Sequence, residues 1–202
     1  GEIDILVGTQ MIAKGHDFPG VTLVGVVYAD SGLHMPDFRA GERTFQLISQ
    51  VTGRAGRGEH PGKVFIQTMQ PGHYAIQFAQ NHQYDGFYER EMQIRSSPAY
   101  PPYVRLLAVH IDGVLLNEVQ KTAMTTRTEL LHWLKQQQEH GGAHVEVLGP
   151  APSPLDRLRE RYRFHILLKS VGHEILQRTG DMIEMRKGDF ITGKTTRIQQ
   201  TD

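Results

Sequence analysis

Three prolines fall within five residues, at Pro98, Pro101 and Pro102, in the stretch Ser96-Ser-Pro-Ala-Tyr-Pro-Pro-Tyr103. A prolyl nitrogen has no hydrogen to donate, and its ring drives the preceding residue toward extended backbone. No regular helix can run through such a segment, so it divides the chain. The expected organisation is one unit over residues 1–95 and a second over residues 96–202. About a hundred residues suffice for each to build its own core.

The first part carries three short apolar runs: Ile3-Asp-Ile-Leu-Val7, Thr22-Leu-Val-Gly-Val-Val-Tyr28 and Lys63-Val-Phe-Ile-Gln67. They are rich in β-branched residues and bounded by Gly, Pro and Asp. Near-continuous apolar character predicts strands buried on both faces, as in a parallel sheet. Helix formers fill Gly41–Val51, with Arg43, Gln46, Leu47 and Gln50 at helical spacing, and a second helix is expected over Tyr74–Met92. The order strand, strand, helix, strand reads as the end of an α/β domain. The chain opens at Gly1, inside an expected strand Ile3–Gly8, and so reads as a piece of a longer protein.

The second part predicts strand Val104–Ile111, helix Asn117–Glu139, strands Val145–Leu148 and Arg161–Lys169, helix Ser170–Met185 and strand Thr196–Gln200. Asn117 suits an N-cap, Val119, Ala123, Leu130, Leu131 and Leu134 form one apolar stripe, and Gly141-Gly142 ends the helix. The β-α-β-β-α-β order predicts a ferredoxin-like α+β domain.

Lys plus Arg equal Asp plus Glu at 22 each, so any affinity for nucleic acid must come from local charge. Cysteine is absent from these 202 residues, which excludes disulfides and thiolate metal ligands within them. No run of about 18 apolar residues is present, so no membrane-spanning helix is predicted.

Gln50-Val-Thr-Gly-Arg-Ala-Gly-Arg57 sets two arginines three apart among small residues. Rigid guanidiniums suit bidentate contact with phosphate, and an arginine supplied from outside can stabilise charge on a transferring phosphoryl group. Thr9-Gln-Met-Ile-Ala-Lys-Gly-His-Asp-Phe18 follows the first expected strand, where α/β folds place their ligands. Thr9 offers a hydroxyl, Lys14 a charge, Gly15 close backbone approach and Asp17 an acceptor. An ordinary turn or helix end would use the same residue types, but the pair at this separation is more specific than either half.

Thr9–Phe18 resembles motif V, and Gln50–Arg57 motif VI, of superfamily 2 helicases. Asp37-Phe-Arg-Ala-Gly-Glu-Arg43, Tyr100-Pro-Pro-Tyr103, Val147-Leu-Gly-Pro-Ala-Pro152 and Arg161-Tyr-Arg-Phe-His-Ile-Leu-Leu168 are similar to stretches of its primosomal, replication-restart branch. The resemblance implies the end of a RecA-like helicase lobe over residues 1–95, followed by a DNA- and protein-binding domain. It implies a bacterial cytoplasmic, nucleoid-associated 3′-to-5′ DNA helicase that uses ATP and promotes primosome assembly at stalled forks. Arg54 and Arg57 would be catalytic, facing phosphates held on another lobe. Gly15, Asp17 and Gln50 would serve the nucleotide, and Thr9 and Lys14 the DNA. Mg²⁺ would sit mainly on the absent lobe, and the family's zinc module lies outside this stretch. Forked and single-stranded DNA, single-stranded DNA-binding protein and other primosome proteins would be the partners. This stretch alone is expected to be inactive. Another superfamily 2 translocase, or a non-catalytic nucleic-acid or protein-binding module, are the competing readings.

Two other signals carry less. Gly188-Asp-Phe-Ile-Thr-Gly-Lys-Thr195 matches a phosphate-binding loop in letters, but an expected helix precedes it and a strand follows, the reverse of what the mechanism requires. His140 and His144 are separated by Gly141-Gly142, so no shared helical face is expected and no metal site is assigned. Arg157, Arg159, Arg161, Arg163 and Lys169 outnumber Asp156 and Glu160 between residues 155 and 169. Alternation sends Tyr162, Phe164, Ile166 and Leu168 toward the Asn117–Glu139 helix and Arg161, Arg163, His165 and Lys169 outward. Arg157, Arg161 and Arg163 are therefore candidate phosphate contacts.

Overall fold

The computed structural model describes residues 3–9, 21–53 and 62–185, and the backbone of 195–201. The chain divides into two compact units, Gly1–Ile94 and Arg95–Asp202.

In the first unit, strands β1 (Leu23–Val26) and β2 (Lys63–Ile66) pair in parallel, Leu23 opposite Lys63 and Val26 opposite Ile66. The Ala29 amide donates to the Gln67 carbonyl at 2.9 Å, which carries the pairing past the strand ends. Helix α1 (Ala40–Thr52) buries Gly41, Thr44, Phe45 and Ile48, leaving Arg43 and Gln46 outward. Its core partners are Ala29, Ala75, Ile76, Ala79 and Phe87, joined by Val26 and Ile66 from the sheet. Two expectations fail here. Residues 3–9 form no strand, and Ile3 and Ile5 are exposed. β-branched composition favours extended backbone, but a strand also needs a hydrogen-bonded neighbour. Among the described residues the pair β1–β2 is covered on one face only, and Leu23 and Phe65 stay 59% and 64% exposed.

The helix expected over Tyr74–Met92 is two helices, α2 (Tyr74–Gln80) and α3 (Tyr84–Ser96). Asn81 caps the first, and His82 takes φ +53°, a left-handed conformation that ends a helix. No glycine or proline marks the break; a polar Asn-His-Gln stretch does.

The second unit is a four-stranded antiparallel sheet in the order β4-β5-β3-β6. Its elements are β3 (Arg105–Gly113), α4 (Leu116–Glu139), β4 (Glu146–Leu158), β5 (Arg161–Ser170), α5 (His173–Met185) and β6 (Thr195–Thr201). This is a β-α-β-β-α-β chain with its first strand central, the split β-α-β arrangement. Leu107, Val109, Ile111, Ile166 and Leu168 from one sheet face pack with Val119, Ala123, Leu130 and Leu134 of α4 and Ile175, Leu176 and Ile183 of α5. Tyr162 and Phe164 join them, as alternation along β5 requires.

Here too the structure amends details. The N-cap of α4 is Leu115, which places Asn117 inside the first turn. Thr126 is buried on α4, whereas Leu131 is 39% exposed. Strand β4 runs far past Leu148, through shifts in register at Gly149-Pro150 and again beyond Pro152. Gly149 has φ +92°, and a Cβ there would lie 2.8 Å from the His165 carbonyl oxygen. Only glycine lets the bulged backbone approach β5 this closely.

Candidate nucleotide and nucleic-acid site

The stretch Asp37–Arg43 builds the entry to α1. One Asp37 carboxylate oxygen accepts the Arg39 amide at 2.9 Å, and the other lies 2.9 Å from the Arg43 guanidinium. The Ala40 amide donates to the Asp37 carbonyl, also at 2.9 Å. An acid at a helix start meets unpaired amides and the positive end of the helix dipole. The helix so started ends at Gly53, with Gln50 half-buried in its last turn. Arg54 and Arg57 lie outside the described residues, as do Lys14, Gly15 and Asp17. Thr9 is exposed, in an irregular segment. Of Gly188–Thr195 only Thr195 is described, at the start of β6.

Sequence reasoning passed over Asp30. It is fully buried where the chain leaves β1, and it binds the exit from β2. Its carboxylate accepts the Thr68 hydroxyl at 2.6 Å and the Met69 amide at 2.8 Å. The Thr68 hydrogen bond leads the causes that hold its pKa below the ordinary value. These bonds fasten together the carboxyl ends of two parallel strands, where such sheets carry their ligands. The available signal was an acid closing an apolar strand run, Tyr28-Ala-Asp30.

In the second unit, β4 and β5 form a hairpin closed by Arg159-Glu160, with Leu158 opposite Arg161. Both turn residues have positive φ, +50° and +61°. Arg157 pairs with Glu160 and lies over the Tyr162 ring, 5.4 Å from its centroid. Arg161 pairs with the Asp112 carboxylate and donates to the Asp112 carbonyl at 3.1 Å. Arg163 lies directly across from Asp112 on β3. Lys169 is buried, 3.5 Å from Glu146 and 4.8 Å from the centre of the Tyr100 ring. The hairpin thus sets Arg161 and Arg163 on one face and Arg157, opposite Tyr162, on the other. It is not a bare cationic stripe, because Glu160, Asp112 and Glu146 neutralise three of the basic residues. His165 is half-buried beside His110, ring centroids 6.4 Å apart, and burial holds its pKa below the ordinary histidine value.

Residues 97–191 match the family model described as Primosomal protein N C-terminal domain. A protein of Bacillus subtilis named Replication restart protein PriA is 51% identical over 169 residues, 84% of this chain. The chain belongs to the PriA family. Proteins of the same name from Synechocystis and Treponema pallidum are 46% and 42% identical, over 84% and 88% of the chain. The aligned part makes up 20%, 20% and 26% of these three PriA proteins, so the chain spans about a fifth to a quarter of their length. Within the described residues no helix is long and apolar enough to cross a membrane.

Proposed function

We propose that this chain is the carboxyl-terminal part of an ATP-driven 3′-to-5′ DNA helicase of the cytoplasm, acting in replication restart and primosome assembly. The observation that carries the reading is the 51% identity to a Replication restart protein PriA over 84% of the chain, a length that must draw on both units. Residues 1–95 then close a RecA-like lobe, and α1 delivers Gln50 and the chain leading to Arg54 and Arg57 toward a nucleotide gripped elsewhere. Gly15 and Asp17 line the same cleft, with Thr9 and Lys14 against the DNA backbone. ATP is the substrate. Mg²⁺ and the structural zinc belong to the part of the protein outside this chain.

The second unit is a ferredoxin-like module for forked or single-stranded DNA and for protein partners, among them single-stranded DNA-binding protein. On it, Arg157, Arg161 and Arg163 offer phosphate contacts. Arg161 must exchange Asp112 for phosphate, which lowers its net gain. The chain alone is expected to hydrolyse no ATP. In the full-length protein, Arg54→Ala should lower kcat by about 10³-fold or more with little change in the KM for ATP, because such arginines act on developing charge. A rise in KM alone would make Arg54 a ground-state contact and sink the catalytic assignment. For the module, Arg157→Ala and Arg163→Ala should each flatten the log–log salt dependence of single-strand binding by about 0.7. Unchanged slopes in folded variants would remove the hairpin from the DNA path.

A further inference from the structure

Helix α1 is held near its start by a contact that leaves no room for a side chain. Gly41 is buried there, and a Cβ added to it would overlap the Tyr74 hydroxyl and lie 3.1 Å from a Glu91 carboxylate oxygen. Tyr74 donates to that same oxygen at 2.6 Å, and Glu91 is only 3% exposed. One turn later on α1 and one turn earlier on α3, the Phe45 ring stacks on Phe87, centroids 4.1 Å apart and planes 13° apart. The Tyr74 ring lies near-parallel to Phe87 on its own account, at 5.9 Å. Gly41 and Phe45 are four apart on α1, and Phe87 and Glu91 four apart on α3, so two helical faces grip each other antiparallel at two points.

A buried carboxylate is a costly way to pack two helices, since an apolar pair would serve stability as well. What a short hydrogen bond adds is a single permitted spacing. We infer that the Tyr74–Glu91 hydrogen bond, seated on Gly41, is a positioning clamp that fixes α1 so that Gln50 meets the nucleotide in register. This rests on the motor reading above. Gln50 stands nine residues beyond Gly41, about 13 Å along the helix axis at 1.5 Å per residue. A tilt of about 5° at the clamped end moves Gln50 by about 1 Å over that length. Misplacement by about 1 Å can cost about 10²-fold in rate while leaving ground-state binding almost untouched.

The test is DNA-stimulated ATP hydrolysis by the full-length protein and its Tyr74→Phe, Glu91→Ala and Glu91→Gln variants. Tyr74→Phe removes one hydroxyl and keeps the ring, so it tests the clamp even where Glu91→Ala fails to fold. Glu91→Gln keeps an acceptor for the hydroxyl. The expected result is a kcat lowered about tenfold or more in Tyr74→Phe and Glu91→Ala, with the KM for ATP within about twofold. Glu91→Gln should retain more than about half of the wild-type kcat. A role in stability alone would lower the melting temperature and leave kcat unchanged, and that outcome overturns the clamp. So does a Glu91→Gln variant as slow as Glu91→Ala. Absence of turnover in the wild-type protein would overturn the motor reading itself, a result distinct from either.

Discussion

Leu130 and Leu131 are neighbours on α4 and lie in the same apolar run, yet the structure buries them very differently. Leu130 is 1% exposed, enclosed by the core of the second unit, whereas Leu131 is 39% exposed. Truncating Leu130 to Ala removes three carbons from a closed site and leaves a cavity, at a cost of about 3 kcal/mol within the usual 2–5. Truncating Leu131 opens a shallow notch to water. No closed cavity forms, and the loss should be about 1 kcal/mol or less. For a unit of about a hundred residues, each kcal/mol lowers the melting temperature by about 4 °C, so Leu130→Ala should melt about 12 °C below the parent. The chain contains one tryptophan, Trp133, which packs against this same core from α4. Its fluorescence therefore follows this unit, and urea or thermal unfolding monitored there isolates the effect. Equal losses for the two variants, or a larger loss for Leu131→Ala, would show that α4 presents a different face to the sheet.

Other variants probe the hairpin and its neighbours. Arg159→Asn with Glu160→Gly should raise stability by about 1 kcal/mol, because that pair accepts positive φ without strain. The Arg157–Glu160 ion pair it breaks is exposed and contributes little; a lowered melting temperature would refute the strain argument. A double-mutant cycle on Asp112 and Arg161 should give a coupling of about 1–2 kcal/mol, since both side chains are mostly buried. Arg161→Ala alone should cost more than Asp112→Ala, because it strands the better-buried partner; the reverse order would contradict the assigned pairing. Burial depresses the His165 pKa, so the unfolded chain binds the proton more readily than the folded one. Its contribution is whole above about pH 6.5 and declines as pH falls through that value toward the folded pKa. His165→Gln should flatten the loss of urea stability between pH 7.5 and 5.5, and an unchanged slope would count against burial of the neutral ring.

Local signals determined much of this protein. The proline cluster, the apolar run before Tyr28, the helix formers of Gly41–Val51 and the alternation along β5 each depend on a few adjacent residues. The last three name elements that the structure contains at nearly the expected places. Prolines and periodicity act through backbone sterics and one-sided burial, which a short window of sequence records. What required a partner distant in sequence was not legible. Ile3–Val7 has strand composition but no strand, because composition does not supply a neighbour. Leu131 shares the apolar run of α4, but Thr126 takes the buried place, its hydroxyl satisfied by the Thr122 carbonyl at 2.9 Å. The candidate site divides in the same way. Arginines at 157, 161 and 163 could be read as charge from sequence, but their pairing could not. Arg161 meets Asp112, 49 positions away, only because β3 and β5 align antiparallel in one register. Gly41, Tyr74 and Glu91 share no motif at all, and became one contact only when α1 folded against α2 and α3. Charge and periodicity are properties of a segment, whereas neutralisation and clamping are properties of a pair, and tertiary structure alone chooses the pairs.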